Sequence, residues 1–167
     1  MNCIVNVDIH WGIGKEDKLL FTISDDLKRF RTLTTGKTVV LGRKTLATFP
    51  GGRPLKNRRN IILSRDKDLV IEGAEVYADI PSVLKALKDV PQEDICIIGG
   101  ASIYEAFLPY CRTVQVTKTL HDGQADRFFP NLDELPGWVV TSTSEIMEEN
   151  QIRYQYIDYI NQNYPAK

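Results

Sequence analysis

Ile95–Pro109, with the sequence ICIIGGASIYEAFLP, carries the strongest structural signal in this 167-residue chain. The run Ile95–Ile98 is short, apolar and rich in β-branched residues, which is typical of a fully buried strand. Gly99-Gly100 follows, and then Ile103 and Phe107 recur at helical spacing. Such a turn exposes backbone N–H groups at the positive end of a helix dipole, where an anionic group such as a pyrophosphate binds well. A turn that needs glycine for steric reasons alone is the alternative, since the stretch is neither a GxGxxG fingerprint nor a Walker loop.

Two further strand ends carry cationic or hydroxyl side chains. Lys37–Leu41 is followed by Gly42-Arg43-Lys44, and Ile61–Leu63 is followed by Ser64-Arg65. Two cations in the first turn of a helix oppose the helix dipole, so an anionic partner explains them better than local structure does. The carboxyl ends of parallel strands meet at one edge of a sheet, where ligands bind. Together the glycine turns and the cations favour a dinucleotide with an additional 2′-phosphate, which is NADP rather than NAD.

An acidic residue lies on the apolar side of the first predicted helix. Ser24 is suited to cap this helix, and Asp25 and Asp26 favour its first turn. Asp26 precedes Phe30 by four residues, so the two side chains share a helix face. The Asp26 carboxylate is either a second favourable charge at the helix N-terminus or a site carboxylate whose pKa is raised by burial.

The composition is that of an ordinary globular protein, with 43% hydrophobic residues, 26% charged residues and a net charge of −1. At this length we expect one domain over residues 1–167. The balanced charge argues against nucleic-acid and membrane-surface binding. The first residues lack the pattern of a signal peptide, and no apolar run approaches the roughly 20 residues that span a bilayer.

Cysteines and histidines are few. The three cysteines, Cys3, Cys96 and Cys111, form an odd number, and two of them lie in apolar runs. We therefore expect buried free thiols and a reducing, cytoplasmic location. His10 and His121 are the only histidines, and neither lies in a ligand spacing, so no metal site is predicted.

The order of the patterns predicts the fold class. Strands and helices alternate in the first part of the chain, and only strands follow. Besides the elements above, the patterns predict a helix at Ser82–Lys88 and strands at Asn2–Asp8, Gly73–Tyr77, Thr113–Thr119, Val139–Ser144 and Ile152–Ile160. We expect an α/β fold, with a mostly parallel central sheet of about eight strands, helices on both faces and an antiparallel C-terminal hairpin.

An ordered set of motifs resembles the dihydrofolate reductase family over nearly the whole chain. The motifs are NCIVNV (2–7), GIGK (12–15), the helix with Asp26-Leu27 and Phe30, LGRKT (41–45), GRPL (52–55), RRNIILSR (58–65), IIGGASIYEAFLP (97–109), Thr117 and FFP (128–130). The resemblance implies NADPH-dependent reduction of 7,8-dihydrofolate to tetrahydrofolate. In that reaction a hydride passes from nicotinamide C4 to pterin C6, and the pterin is protonated at N5.

The resemblance also implies a catalytic set and a substrate pocket. Asp26 would bind the pterin amino group and ring nitrogen and promote protonation of N5, and Thr117 would hold Asp26. Phe21 occupies a catalytic position that is usually tryptophan, and Arg58 would pair with the α-carboxylate of the glutamate tail. The implied substrate-binding residues are Ile4, Val5, Asp26, Leu27, Phe30, Phe49, Leu55, Arg58, Ile98 and Thr117.

For NADPH, the resemblance implies that the glycine turns hold the pyrophosphate. It also implies that the 2′-phosphate is bound by Arg43, Lys44, Ser64 and Arg65. The Gly99-Gly100 peptide would be cis, Tyr104 would lie near the nicotinamide, and the loop Ile9–Phe21 would close over it. The implied cofactor-binding residues are Asn6, Ile13, Gly14, Gly42, Arg43, Lys44, Thr45, Leu63, Ser64, Arg65, Ile98, Gly99, Gly100, Ala101, Ser102, Ile103 and Tyr104.

Several positions depart from the family pattern. Leu20-Phe21 replaces Pro-Trp, and phenylalanine offers no donor to a water beside the pterin. Asn6 replaces a small apolar residue next to the nicotinamide carboxamide, so its side chain must find a polar partner. Ser102 replaces an arginine that some members place near the 2′-phosphate. Asp8 is also unusual, and the sequence suggests no role for it.

Three alternatives to a dihydrofolate reductase remain open. A pyrimidine reductase of riboflavin synthesis would need neither the Asp26 carboxylate nor Arg58. A folate- or NADPH-binding protein without turnover would be compatible with Leu20-Phe21. An α/β domain with purely structural glycine turns would require all of these residues to coincide by accident. For the reductase we expect a monomer that binds dihydrofolate and antifolate inhibitors, but neither nucleic acid nor membranes.

Overall fold

The computed structural model describes residues 1–164, so the last part of the predicted domain lies outside the described residues. The strands are β1 (Asn2–Val7), β2 (Gly12–Gly14), β3 (Thr38–Gly42), β4 (Arg59–Leu63), β5 (Ala74–Tyr77), β6 (Ile95–Gly99), β7 (Thr113–Thr119), β8 (Arg127–Phe128), β9 (Trp138–Thr143), β10 (Met147–Glu149) and β11 (Ile152–Asn161). The α-helices are α1 (Ser24–Thr34), α2 (Arg43–Ala47), α3 (Ile80–Ala86) and α4 (Ala101–Phe107). Short 3₁₀ turns occupy Pro50–Gly52, Gln92–Asp94 and Leu108–Tyr110.

The central sheet has the strand order β10-β11-β7-β1-β6-β3-β4-β5, and β9 pairs with β11 on the same edge as β10. All pairs from β7 to β5 are parallel, and the pairs made by β11 are antiparallel. Nine strands therefore fill eight positions across the sheet. The predicted α/β fold, with its mostly parallel sheet and antiparallel C-terminal strands, is confirmed.

The two faces of the sheet bury separate apolar clusters, because successive strand residues point to opposite faces. One cluster joins α3 and α4 to the sheet through residues such as Val83, Phe107 and Ile97. The other joins α1 and α2 to the opposite face through Leu46 and Ile98. The strand β6 is buried along its whole length, as its apolar run predicts.

Several local predictions differ from the structure. Ser24 does not cap α1: the N-cap residue is Ile23, and Ser24 is the first helical residue. The Glu149 carboxylate instead accepts hydrogen bonds from Ser24 N (2.7 Å), Ser24 Oγ (2.6 Å) and Asp25 N (3.2 Å). These bonds satisfy helix N–H groups from a different element, and the Ser24 hydroxyl lowers the pKa of Glu149.

Three short strands were not predicted from the sequence: β2, β8 and β10. The strands β2 and β8 form a separate two-stranded sheet between the loop after β1 and the loop after β7. The strand β10 pairs with the start of β11 and so lengthens the terminal hairpin. Each has only two or three residues, which is too short for a periodic pattern. The helix α3 begins at Ile80 rather than Ser82, because the Asp79 side chain caps it by accepting from Ser82 N at 2.8 Å.

Asp8, for which the sequence suggests no role, is a buried anchor for two loops. The residue is 1% exposed. Its Oδ1 accepts hydrogen bonds from His10 N and Gly12 N, both at 2.8 Å, and its Oδ2 accepts one from Gly123 N at 2.9 Å. The carboxylate therefore fixes the start of the loop after β1 against the loop after β7.

We expect Asp8→Asn to lower the free energy of unfolding by about 1.5 kcal/mol. The asparagine keeps one oxygen for His10 N and Gly12 N, but it turns an amide group towards the Gly123 N–H and leaves that donor unpaired. Urea denaturation measures the change, and Asp89→Asn is the control, because Asp89 is exposed. Equal stability of Asp8→Asn and the wild type would contradict the anchoring role.

All three cysteines are free and buried, as predicted. The thiols of Cys3 and Cys111 lie 3.4 Å apart and form a hydrogen bond, and burial raises the pKa of Cys3. Within residues 1–164, no helix combines the length and apolar character that crossing a bilayer requires.

Candidate active site

A cleft of about 870 Å³ opens beyond the carboxyl ends of β3, β4 and β6. Every residue that the sequence predicts for the cofactor lines this cleft, from Asn6 to Tyr104. The three strand ends come together because β6, β3 and β4 are parallel neighbours in the sheet. The position is the one at which open α/β sheets bind nucleotides.

Glycines form the floor of the cleft where β3 meets α2 and where β6 meets α4. Gly99 has a φ of 125°, which favours glycine, and the Gly99–Gly100 peptide is cis, as the resemblance implies. A Cβ atom on Gly42 would lie 3.2 Å from Ile103 Cγ1, and one on Gly100 would lie 3.3 Å from Thr45 Oγ1. Both junctions therefore pack closely together and present bare backbone to the cleft.

Cations line one end of the cleft. Arg43, Lys44 and Arg65 all border it, together with Ser64. Arg43 Nη1 lies 3.5 Å from Asp66 Oδ2, and both side chains are about half exposed, so this ion pair is weak. Within residues 1–164, neither Lys44 nor Arg65 has an acidic partner within 4.0 Å. An anionic ligand would supply these cations with a partner.

An apolar cluster adjoins the cleft on the α1 side of the sheet. Four of the residues predicted for the substrate are partly buried around Ile98: Ile4, Phe30, Phe49 and Leu55. Leu27 lies on the same helix as Phe30 and is 49% exposed. Since Ile98 also borders the cleft, the two predicted sites meet at the end of β6.

Asp26 lies at this junction and is held by hydrogen bonds from two strands. Thr117 Oγ1 donates to Asp26 Oδ1 at 2.5 Å, and Asn6 Nδ2 donates to Asp26 Oδ2 at 3.1 Å. Asn6 and Thr117 face each other in the parallel pair of β1 and β7. Thr119, which was not predicted as a site residue, donates to Asn6 Oδ1 at 3.0 Å. The partner that Asn6 requires is thus the Asp26 carboxylate.

Burial raises the pKa of Asp26 above 3.8, while the hydrogen bonds from Thr117 and Asn6 and the charge of Arg29 oppose that shift. Tyr156 lies opposite Thr117 in the β7–β11 pair, and the Arg29 guanidinium lies 3.8 Å from the centre of its ring. A carboxyl group with a raised pKa where an apolar cluster meets a cleft is characteristic of a site for proton chemistry.

The raised pKa of Asp26 predicts how stability depends on pH. Because the folded protein binds this proton more tightly than the unfolded chain, Asp26 contributes stability below pH 3.8 that is lost as the pH rises through the folded pKa. The free energy of unfolding of the wild type minus that of Asp26→Asn should therefore decrease over this range. Paired urea denaturation at successive pH values measures the difference. A constant difference would mean that the carboxyl group titrates alike in both states.

Arg58 is connected to Leu55 of the apolar cluster through Asn60, whose Nδ2 donates to the backbone oxygens of both residues. Arg58 Nη2 donates to Thr35 Oγ1 at 3.3 Å, whereas the Nε atom is buried without a hydrogen-bond partner in the described residues. Burial and the neighbouring Arg31 both lower the pKa of Arg58. An incoming carboxylate would satisfy the Nε donor and offset the repulsion between the two arginines.

Phe21, predicted as a catalytic residue, does not border the cleft. Its ring packs at 6.1 Å from the ring of His121, whose Nε2 accepts a hydrogen bond from Arg153 N. Leu20 packs on Gly123, where an added Cβ would lie 2.8 Å from Leu20 Cδ1. These contacts join the loop after β1 to the loop after β7.

Sequence reasoning missed a few residues that border the cleft. Asp17, Lys18 and Leu19 come from the loop that was expected to cover the cofactor, but they were not named individually. The other missed residues are Thr48, Ala78, Glu105 and Arg127. Arg127 approaches the cleft because β8 pairs with β2, a contact that has no local sequence signal. Within residues 1–164, no group of His, Cys, Asp and Glu side chains is suited to hold a metal ion.

Comparison with known proteins agrees with this geometry. A family model described as dihydrofolate reductase matches residues 1–161. The dihydrofolate reductase of Staphylococcus haemolyticus is 35% identical over 162 residues, which cover 96% of this chain and 93% of the relative. The dihydrofolate reductase of Bacillus subtilis (strain 168) is 32% identical over 162 residues, with 96% and 94% covered.

A solved structure of a dihydrofolate reductase also matches this chain. The Enterococcus faecalis dihydrofolate reductase, complexed with NADP(H) and RAB-propyl, superimposes with a TM-score of 0.81 at 30% identity. The match covers 95% of this chain and 94% of that one. On the match to the family model and on these relatives, the chain belongs to the dihydrofolate reductase family.

Proposed function

We propose that this chain catalyses the NADPH-dependent reduction of 7,8-dihydrofolate to tetrahydrofolate. The observation that carries the proposal is the position of the Asp26 carboxylate. It is partly buried and hydrogen-bonded where an apolar cluster meets a cleft that is lined with glycines and cations. The apolar side chains suit an uncharged heterocycle, and the cleft suits a phosphorylated dinucleotide.

The residues of the cleft fit NADPH, which would supply the hydride when bound. The backbone at Gly42 and Gly100, which borders the cleft where β3 and β6 end, would hold the pyrophosphate. Arg43, Lys44 and Arg65, with Ser64, would hold the 2′-phosphate. Tyr104 Oη donates to the backbone oxygen of Ile4, a residue of the apolar cluster, at 2.7 Å, which fixes the aromatic ring in the cleft.

Asp26 would orient the substrate and promote its protonation. Each carboxylate oxygen accepts one hydrogen bond from the protein, which leaves lone pairs for the 2-amino group and ring nitrogen of a pterin. The negative charge would then stabilise the proton that the reaction adds at N5. Arg58, whose Nε is unpaired, would bind the α-carboxylate of the glutamate tail.

The loop Ile9–Phe21, which contains β2, would exclude water from the reaction. Asp17, Lys18 and Leu19 already border the cleft, and two hydrogen bonds tie the loop to Asp126. Asp126 N donates to Gly14 O at 2.9 Å, and Asp126 Oδ2 accepts from Glu16 N at 2.9 Å. A covered site protects the hydride and strengthens the interaction of Asp26 with the substrate.

Absorbance at 340 nm, with purified protein, NADPH and dihydrofolate, tests the proposal. We expect a decline that requires both substrates and is faster with NADPH than with NADH. Binding of dihydrofolate without any decline would favour a binding protein without turnover. Phe21 favours this second candidate, a binding protein without turnover, because its ring has no N–H donor and packs on His121. Failure to bind either ligand would contradict both functions.

We further propose that the chain acts as a monomer in the cytoplasm. We also propose that antifolate inhibitors compete with dihydrofolate for the site beside Asp26 and the apolar cluster. The net charge of −1 supports the expectation that neither nucleic acid nor a membrane surface is a partner. Sedimentation of the purified protein at several concentrations tests the monomer. Inhibition by a diaminopyrimidine antifolate that is relieved by added dihydrofolate would support the shared site.

A further inference from the structure

The Asn6 side chain connects the Asp26 carboxylate to Thr119, a buried residue of β7. Its amide nitrogen donates to Asp26 Oδ2 at 3.1 Å, and its amide oxygen accepts from Thr119 Oγ1 at 3.0 Å. A carboxylate only accepts hydrogen bonds, so the NH₂ group must face Asp26. Thr119 is fully buried and fixes the opposite end of the amide. The carboxylate therefore determines the orientation of the amide, and the Thr119 hydroxyl, which can donate or accept, bonds to its other end.

The two oxygens of Asp26 are held by donors of different kinds. The hydroxyl of Thr117 can rotate and can accept as well as donate, whereas the NH₂ group of Asn6 only donates. A donor of this kind favours the ionised form of the carboxyl group over the protonated form. It also fixes the plane of the carboxylate, because Thr117 and Asn6 bind different oxygens.

We propose that Asn6 is a positioning residue for the proposed reductase reaction, and that its side-chain amide holds the Asp26 carboxylate in the orientation that receives the pterin. The inference rests on the proposed function for its catalytic consequence. It gives Asn6 a role towards the Asp26 carboxylate, in addition to the place beside the cofactor that its position in the cleft implies.

Other charged and titratable groups near Asp26 come from three elements. Arg29 on α1 lowers the pKa of Asp26. Burial raises the pKa of Tyr104 on α4 and of Tyr156 on β11, and the negative charge of Asp26 adds to both shifts. None of these groups hydrogen-bonds to Asn6 within the described residues, so substitution of Asn6 removes a donor and leaves these charges in place.

The titration of the Asp26 carboxyl group in the ligand-free protein tests the inference directly. Carbon-13 NMR of aspartate-labelled protein gives the pKa, and Asp26→Asn assigns the resonance. We expect Asn6→Ala to raise the pKa of Asp26 by about one unit, because the ionised form loses a charge-assisted hydrogen bond. Asn6→Asp, which is nearly isosteric and replaces the donor by a second acid, should raise it further.

Asn2 provides a matched control. It lies on β1, and its Oδ1 accepts from Thr113 Oγ1 at 2.7 Å, as Asn6 Oδ1 accepts from Thr119. Asn2→Ala therefore removes the same kind of contact between β1 and β7, away from Asp26, and should leave the pKa of Asp26 unchanged. Thr119→Val frees the amide of Asn6 and should give a smaller rise than Asn6→Ala.

The pH dependence of turnover is the second measurement. In Asn6→Ala, the pH at which the rate of reduction is half-maximal should move in the alkaline direction by the same shift that the titration shows. An unchanged titration in both Asn6→Ala and Asn6→Asp would overturn the inference, even if activity fell. The titration requires no turnover. Failure of the protein to reduce dihydrofolate would therefore refute the proposed function without affecting the test of the contact between Asn6 and Asp26.

Discussion

The Asp26→Asn variant is expected to fold and to bind NADPH like the wild type, but to reduce dihydrofolate at least about 100-fold more slowly at pH 7. The asparagine keeps the size of the side chain and its place between Thr117 and Asn6. It lacks the negative charge that would stabilise a proton on the pterin. Single-turnover kinetics at 340 nm measures the effect on reduction, and fluorescence titration measures the cofactor affinity.

The neighbouring acid provides the control for this variant. Asp25 is exposed, and its Oδ2 accepts a hydrogen bond from Tyr154 Oη at 3.3 Å. Asp25→Asn removes the same charge from the first turn of α1 and should reduce dihydrofolate at nearly the wild-type rate. Equal rates for the Asp26 variant and the wild type at pH 7 would contradict the role of Asp26.

Arg43→Ala is expected to weaken NADPH binding by about 30-fold and to change NADH binding little. In the proposed complex the guanidinium pairs with the 2′-phosphate, a group that NADH lacks. The present partner of Arg43 is Asp66, at 3.5 Å and about half exposed, so the arginine is readily available to a ligand. Dissociation constants for the two cofactors, measured by fluorescence titration, give the ratio.

Arg53→Ala is the matched variant for Arg43→Ala. Arg53 is an exposed cation that does not border the cleft, so its loss changes the net charge equally without removing a contact. It should weaken NADPH binding much less. Equal losses for NADPH and NADH in Arg43→Ala would exclude this residue from the 2′-phosphate site, and Arg65→Ala would then identify the next candidate.

Much of the fold could be predicted because its signals are local. The run Ile95–Ile98 indicates a buried strand, and the two glycines that follow indicate the turn into α4. The same logic at Gly42 and Ser64 predicts that three strand ends share one edge of the sheet. The residues predicted for the cofactor therefore all border the cleft, although their individual contacts with NADPH stay predictions.

The cap of α1 could not be predicted in the same way. Ser24 satisfies the local rule for an N-cap, but Glu149, which is 125 residues away, occupies that role. It can do so because β10 pairs with β11 and brings the Glu149 carboxylate to the start of the helix. A single sequence contains no signal for a hydrogen bond of this kind, since its geometry depends on the assembled sheet.

The sequence by itself determined the α/β class, the edge of the sheet at which the cleft opens, and the family of the chain, because periodic apolar runs, glycine turns and ordered motifs act over short distances. Only the tertiary structure decided the partners of Asn6 and Asp8. Asn6 meets Asp26 because the register of β1 and β7 places it opposite Thr117 and beneath α1. Asp8 finds its donors in two loops that the chain brings together after β7. The hydrogen bonds of the Asp26 and Asp8 carboxylates both depend on long-range contacts, which only the folded chain provides.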